Sequence, residues 1–294
     1  MTGPKLFACV SVFANCAAGS QLKVGHELES STIEIQAVSM KLGANDVVLI
    51  DTPGFDDTSR SQAEILQLIA EFLRRTYSED KLLTGIIYLH DISSNRIAQS
   101  DLGSYRLFRK LCGDAAMTNV VIATTMWDDV DQQLGANRLQ ELQDDFFKDA
   151  YDRGVPIMRH DNTRQSAHRI LSRLLGKDGT RCDIQYEMVD EGKSVENTAA
   201  GKELLHQFDE FEDTHGKQLR AAQDSLEPIP SRNGLRDGSG GTEEGADVRE
   251  LRIALEQVRQ ELRRVQDERD KLRQTLGQDL TAHIKRLMLC ICPI

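Results

Sequence analysis

The stretch Val47-Val48-Leu49-Ile50-Asp51-Thr52-Pro53-Gly54 decides the fold. It opens with a continuous apolar run, which is typical of a strand buried on both faces of a parallel sheet. The polar tetrapeptide Asp51–Gly54 follows directly, and the charged loop 55–58 comes next. An ordinary strand–turn could have the same composition, but the position between a buried strand and a charged loop favours a functional site.

Strands and helices alternate along the first 175 residues. Apolar runs and alternating patterns predict strands at 33–38, 47–50, 86–89, 120–122 and 155–158. Apolar residues at helical spacing predict helices at 60–77, 98–112, 133–151 and 163–175. This order predicts an α/β fold with a doubly wound, mainly parallel sheet that helices cover on both faces.

The organisation changes after residue 178. Residues 179–224 form a predicted helical extension, most of it one long polar helix over 194–224. The stretch 225–245 is rich in Pro, Gly and Ser, and is therefore a predicted flexible linker. Residues 246–286 form a predicted coiled coil, because apolar residues repeat there at spacings of three and four. The seam consists of Val248, Leu251, Leu255, Val258, Leu262, Val265, Leu272 and Leu276, and Arg269 interrupts it.

The coiled coil predicts that the chain assembles, as a homo-oligomer or with a different partner. A lone solvated helix is the alternative, but the regular alternation of apolar and charged positions favours assembly. The apolar tail 287–294 is too short to span a bilayer, so membrane association is only weakly supported. Palmitoylation of Cys290 or Cys292, or a tail docked on a partner, are the two interpretations of this segment.

Composition argues against several classes of protein. The 294 residues carry a formal charge of −11, from 36 Lys and Arg against 47 Asp and Glu. This acidic balance argues against a nucleic-acid partner, because such a partner requires a basic face. No apolar run is long enough for a transmembrane helix. The six cysteines are scattered without zinc spacing, which is typical of reduced thiols, and we expect a cytoplasmic protein without a secretory signal.

Two further polar loops follow predicted strands. Thr125-Met126-Trp127-Asp128 comes after the strand at 120–122, and His160-Asp161-Asn162-Thr163 comes after the strand at 155–158. Asp128 has two interpretations, as a base-binding carboxylate or as an aspartate that caps a turn. The second loop is equally typical of a helix N-cap, and it could serve both purposes.

The order of these motifs resembles that of the septin-related P-loop GTPases. It is most similar to immunity-associated G-domain proteins of the avirulence-induced-gene type, in their fungal form with a C-terminal coiled coil. The segments that carry the resemblance are Gly19–His26, Ser30-Ser31-Thr32, Asp51–Gly54 and Thr125–Asp128. The resemblance implies a P-loop NTPase-like G domain over residues 1–178. Such a domain binds GTP or GDP with Mg²⁺, and its nucleotide state controls assembly.

The resemblance also implies which residues bind the nucleotide. They are Ser11, Thr32, Asp51, Thr52, Pro53, Gly54, Thr125, Asp128 and Asn162. Ser11, Thr32 and Asp51 would in addition hold Mg²⁺. Asp128 would pair with the guanine N1 and N2 hydrogens, and Thr125 would brace its loop. No residue is assigned a catalytic role.

The phosphate loop departs from the family pattern. The family requires G-x-x-x-x-G-K-[ST], whose backbone amides and lysine bind the phosphates. In this register the first glycine falls on Pro4, the second on Cys9 and the lysine on Val10. Charged hydrogen bonds contribute about 1.5–3 kcal/mol each, so we expect nucleotide binding weakened by orders of magnitude. Hydrolysis is then expected to be weak or absent.

The first residues have two interpretations. The apolar run Leu6–Phe13 can fill the central strand position, but nothing upstream then remains to supply the family's own first strand. The chain is either a nucleotide-free pseudo-GTPase, or its beginning reflects an alternative or mis-assigned start that replaces a normal phosphate loop. The abrupt change near residue 11 favours the second interpretation.

Three functions are compatible with these observations. The favoured one is a guanine-nucleotide-binding switch of the immunity-associated type, impaired in this chain. The alternative is a non-enzymatic pseudo-GTPase scaffold that works through its coiled coil. A metal- or thiol-dependent enzyme has little support, because His90-Asp91 ends a strand without a nucleophile or a metal-binding set.

Overall fold

The computed structural model describes residues 4–9, 11–19, 35–55, 60–94, 99–226, 246–273 and 284. It divides into two compact units, residues 1–204 with 272–294, and residues 205–271. Most of the predicted linker, the apolar tail and nearly all of the predicted coiled coil beyond residue 273 lie outside the described residues. The domain boundaries proposed from the sequence therefore stay predictions.

The first unit contains a six-stranded sheet. Its strands are β1 (Lys5–Cys9), β2 (Gln36–Leu42), β3 (Asn45–Asp51), β4 (Leu83–Asp91), β5 (Val120–Thr125) and β6 (Ile157–Arg159). The helices are α1 (Ser11–Ala18), α2 (Gln62–Ser78), α3 (Gln99–Ala116), α4 (Gln132–Glu141), α5 (Lys148–Asp152), α6 (Arg164–Leu174), α7 (Asp183–Val189), α8 (Ala199–Leu226) and α9 (Ala246–Arg273). Each of the five strands predicted from the sequence overlaps one of β2 to β6.

The strand order is β2-β3-β1-β4-β5-β6. β2 runs antiparallel to β3 through a tight turn at Gly43, whose φ of +62° is a conformation that glycine adopts without strain. All other neighbouring strands are parallel. This doubly wound, mainly parallel sheet with flanking helices confirms the predicted α/β fold class.

The central strand confirms part of one expectation. Lys5–Cys9 forms β1 and lies between β3 and β4. The apolar run therefore does fill the central strand position, as predicted, over Leu6–Cys9. The whole run Leu6–Phe13 is not one strand, because the chain leaves the sheet at Cys9 and begins α1 at Ser11. Phe13 is thereby a helical residue, and it is fully buried.

Helices cover both faces of the sheet. On one face, Phe13, Ala14 and Ala17 of α1 pack with Ile170 and other residues of α6 in the main apolar core. On the other face, α2 and α3 lie over β1 and β4. A capping box starts α2: Ser61 Oγ accepts from the Glu64 N–H at 3.1 Å, and Glu64 Oε2 accepts from the Ser61 N–H at 3.2 Å.

One predicted helix is broken. The expected helix 133–151 consists of α4, a π-helical turn over Leu142–Phe146, and the short α5. The sequence places two aromatic residues side by side, and both contact Tyr105, Phe146 at 5.5 Å and Phe147 at 4.8 Å between ring centroids. A regular helix turns adjacent side chains about 100° apart, so the π-helical turn accompanies the packing of both rings on one side, with Phe147 buried and Phe146 half-buried.

The second unit contains α8 from Leu205 to its end and most of α9. Arg269 of α9 forms ion pairs with Asp209 and Glu212 of α8. Arg269 is the residue that interrupts the predicted seam, and the two carboxylates compensate its charge. Leu255 of the seam is buried. The coiled coil itself stays a prediction. Among the helices of the described ranges, none combines the length and apolar character that a bilayer crossing requires.

Candidate functional site

The predicted site residues of the described chain gather at one edge of the sheet. Cys9, Asp51 and Thr125 are the last residues of β1, β3 and β5. The register pairs Cys9 with Asp51, and it pairs Thr125 with Asp91, the last residue of β4. Ligands of doubly wound sheets bind at this carboxyl edge, so the topology places the candidate residues where such a fold forms a site.

The turn Asp51–Gly54 is attached to the end of β1. The Thr52 N–H donates to the Cys9 carbonyl at 2.8 Å, and Thr52 Oγ1 donates to the same oxygen at 3.2 Å. Asp51 is 5% exposed, and Pro53 is buried. Gly54 is exposed, and a Cβ atom on it would meet nothing within 4 Å. The turn is therefore held by β1 on one side and open to solvent at Gly54.

The junction between β1 and α1 does not fit a nucleotide phosphate group. β1 ends at Cys9 and α1 begins at Ser11, so one residue lies between the two elements, whereas a phosphate-binding loop has a run of backbone amides at this position. Cys9 is 2% exposed, and burial together with the nearby negative charge of Asp51 raises the pKa of its thiol well above its usual value. A strand and a neutral, buried thiol thus occupy the position where a phosphate-binding loop would present its backbone amides.

The second loop is anchored through its neighbours. Thr125 Oγ1 donates to the His90 carbonyl at 3.3 Å, which attaches the start of this loop to β4. The buried Trp127 donates from Nε1 to the Thr124 carbonyl at 3.0 Å. Asp128 is exposed on the turn that Trp127 fixes, and Met126 has a left-handed φ of 57°. The carboxylate of Asp128 is therefore accessible to a hydrogen-bond donor.

The third loop is built around a buried histidine. His160 is fully buried; its Nδ1 lies 2.8 Å from Ser166 Oγ, and its backbone N–H donates to the Thr124 carbonyl at 2.8 Å. Thr163 caps α6 by accepting from the Ser166 N–H at 3.1 Å, which confirms the N-cap interpretation. Hydrogen bonds from Ser166 and Thr163 lower the pKa of Asp161 to about 2.

Asn162 is the residue of this loop that was predicted to bind the nucleotide. It is exposed and has a positive φ of 53°, a conformation that asparagine tolerates better than most residues. Its side chain is accordingly free to meet a ligand at the same edge as Asp128, and the loop presents both a cap and an open polar group.

Two contacts at this edge escaped sequence reasoning. The ring of Phe13 in α1 lies 5.1 Å from the ring of His160, which joins α1 to the third loop. The guanidinium of Arg159 lies 4.4 Å from the ring centroid of Trp127, a cation–π arrangement. Arg159 ends the half-buried strand β6, and Trp127 follows the buried strand β5, so both lie at the carboxyl ends of neighbouring strands. This shared position is the signal that could have paired them.

The Mg²⁺ set is only partly described. Asp51 is at the expected strand end, and Ser11 is the first residue of α1, but its side chain is not described. Thr32 lies outside the described residues. In the described part of the chain, no group of three or more His, Cys, Asp or Glu side chains is arranged to hold a metal ion. His90 lies against the rings of Phe146 and Phe147, at 5.5 and 5.3 Å.

Comparison with known proteins gives similarity of fold alone. No family model matches the chain, and no curated protein matches it in sequence. Toc33 from Arabidopsis thaliana, in complex with Mg²⁺ and GMPPNP, is 16% identical with a TM-score of 0.42, over 55% of this chain and 72% of that one. A bacterial selenocysteine-specific elongation factor, EF-Sec, is 15% identical with a TM-score of 0.41, over 59% and 28%. SelB from Methanococcus maripaludis, in complex with the GTP analogue GPPNHP, is 10% identical with a TM-score of 0.40, over 61% and 36%.

Proposed function

We propose that this chain is a non-hydrolysing, G-domain-like binding module, a pseudo-GTPase of the septin-related, immunity-associated kind that works in the cytoplasm. The doubly wound fold and the polar loops at its carboxyl edge support the G-domain part of this proposal. The phosphate-binding part of the site is replaced by strand and helix. The module therefore acts through the surfaces it presents and through assembly of its C-terminal helix, rather than through a cycle of GTP hydrolysis.

The β1–α1 junction is the observation that supports this proposal. Tight binding of a nucleotide depends on a loop whose successive N–H groups face the β-phosphate and on a lysine that reaches the β- and γ-phosphates. Here β1 continues to Cys9, and α1 starts two residues later. The Cys9 carbonyl accepts a hydrogen bond from the Thr52 N–H. The sequence has Val10 at the lysine position. Both components of phosphate binding are thus replaced.

Titration of the full chain with a fluorescent guanine nucleotide tests the proposal. We expect no saturable binding at high micromolar protein, with or without Mg²⁺, and no release of phosphate from GTP. The variant Val10→Lys restores the charge alone and should remain inactive, because a lysine cannot replace the missing backbone amides. The double variant Cys9→Gly/Val10→Lys is the stricter control, because it restores both the second glycine and the lysine of the family pattern. Saturable binding at high micromolar protein, by the unmodified chain or by Val10→Lys, would contradict the proposal.

A guanine-nucleotide-binding switch with weakened affinity is the second candidate. The observation that favours it is the shared edge of Asp51, Thr125, Asp128 and Asn162, where the exposed carboxylate of Asp128 is accessible to a base. Binding would then rest mainly on the base. Such binding should be detectable at millimolar GTP, GDP or guanosine, and Asp128→Ala should abolish it while the exposed neighbour variant Asp129→Ala leaves it unchanged.

A further inference from the structure

An apolar cavity lies on the face of the sheet that α2 and α3 cover. It has a volume of about 140 Å³ and lies within the first unit. Its walls come from β1, β4, α2 and α3, with Ala8, Ile86, Phe72 and Leu111 as representative residues. The opposite face of the sheet, in contrast, is filled by the side chains of α1 and α6. The two faces of one sheet are therefore packed unequally.

The strand pattern explains how Ala8 creates this space. Phe7 and Cys9 point into the filled core, and Ala8 points to the other face because successive strand residues alternate. β1 is the central strand, and its half-buried Ala8 lies near the carboxyl end of the strand, on the face that α2 and α3 cover. A methyl group there leaves the neighbouring larger side chains without a contact on that side.

The cavity reaches the surface at the carboxyl edge. Its buried lining residues lie deep between sheet and helices, whereas the exposed lining residue Gly54 and the half-buried Phe55 and Leu89 lie at the ends of β3 and β4. A ligand can thus enter beside the Thr52–Phe55 turn. Among the polar lining residues, Thr52 Oγ1 already donates to the Cys9 carbonyl and Ser104 is buried, so the lining is mainly apolar.

We propose that this cavity binds a compact, uncharged, apolar molecule of benzene to indole size. An enclosed cavity of roughly 150 Å³ lined by Leu, Ile and Phe takes up benzene. The cavity here has a similar volume and is lined mostly by the same three residue types, but it also opens at Gly54 and includes the polar residues Thr52 and Ser104. A helix, about 10–12 Å across, is too wide for the space, which excludes docking of a helical partner inside it. The ligand contacts the Thr52–Phe55 turn, so its binding is sensed at the carboxyl edge of the sheet.

Titration with benzene tests the site in the full chain. We expect benzene and indole to raise the melting temperature in a saturable manner and to shift the NMR signals of the Gly54 amide and the Ile86 and Leu111 methyl groups. Pyridine has the same shape but a nitrogen acceptor, and it should bind at least about tenfold more weakly because that acceptor would be buried unpaired. The absence of saturable benzene binding, or equal affinity for pyridine, would overturn the proposal.

A filling variant locates the binding in this cavity. Ala8→Leu places three more carbon atoms in it and should abolish the benzene-dependent rise in melting temperature. Ala115→Leu makes the same change at an exposed position of α3 and should bind benzene as the unmodified chain does. Unchanged binding in Ala8→Leu would place the ligand elsewhere and refute the assignment. If Ala8→Leu does not fold, the NMR shifts of the unmodified chain still decide between the outcomes.

Discussion

The substitution Phe13→Ala tests the position of α1 most closely. Phe13 is fully buried, belongs to the main apolar core and lies 5.1 Å from the ring of His160. Replacing a buried Phe by Ala costs about 3–5 kcal/mol, since transfer and cavity costs add. For a unit of this size we expect Phe13→Ala to lower the melting temperature by roughly 6–20 °C.

The neighbouring Val12 provides the matched control. It belongs to the same helix but is 48% exposed, so Val12→Ala should change the free energy of unfolding by no more than about 0.5 kcal/mol. Urea unfolding followed by circular dichroism measures both values. A loss of less than about 1 kcal/mol for Phe13→Ala, or an equal loss for Val12→Ala, would show that α1 does not begin at Ser11 in the orientation described.

Three further predictions concern single contacts. Thr52→Val removes the hydroxyl that donates to the Cys9 carbonyl and should cost about 0.5–1.5 kcal/mol in urea unfolding, whereas Thr52→Ser should keep most of the stability; equal losses would refute the contact. Burial lowers the pKa of His160 in the folded chain below its unfolded value of about 6.5. The free energy of unfolding should therefore decrease as the pH falls from about 6.5 to the pKa of the folded chain, and His160→Gln should lessen this decrease. Arg269→Leu completes the apolar seam and should increase self-association in analytical ultracentrifugation, whereas Arg263→Leu at a 70%-exposed side chain should not; unchanged sedimentation in both would count against the coiled coil.

The sheet was largely predictable because its strands have strong local signals. The apolar runs at 47–50, 86–89 and 120–122 each lie inside an observed strand. Their bounds were less well defined, since polar residues such as Asp51 and Asp91 continue the ladder to the carboxyl edge. Hydrogen bonding between strands, rather than apolar content, decides where a strand ends.

The start of the chain was harder to predict for a physical reason. A continuous apolar run such as Leu6–Phe13 has no periodicity that separates a buried strand from a buried helix. Only the packing of Phe13, Ala14 and Ala17 on one face reveals the helix. The short helix α7 was also not predicted. Its side chain Gln185 donates to the Leu73 carbonyl at 2.9 Å, a contact between distant segments that no local pattern encodes.

The candidate site was predictable in its positions and less so in its interactions. Asp51, Thr125 and Asp128 follow strands, and the topology brings the ends of those strands together. The partners of these loops come from elsewhere in the chain, as in the bond from Thr125 to the His90 carbonyl. Such pairs depend on strand register, which the sequence does not specify before the sheet order is known.

Backbone NMR of residues 5–18 tests most directly whether a strand and a helix have replaced the phosphate loop. Assigned ¹³C shifts should indicate extended backbone from Lys5 to Cys9 and helix from Ser11 to Ala18. Addition of GTP and Mg²⁺ at micromolar concentrations should leave these signals unchanged. Loop-like shifts over residues 5–10, together with movement of the Cys9 and Ser11 amides on addition of nucleotide, would contradict the account.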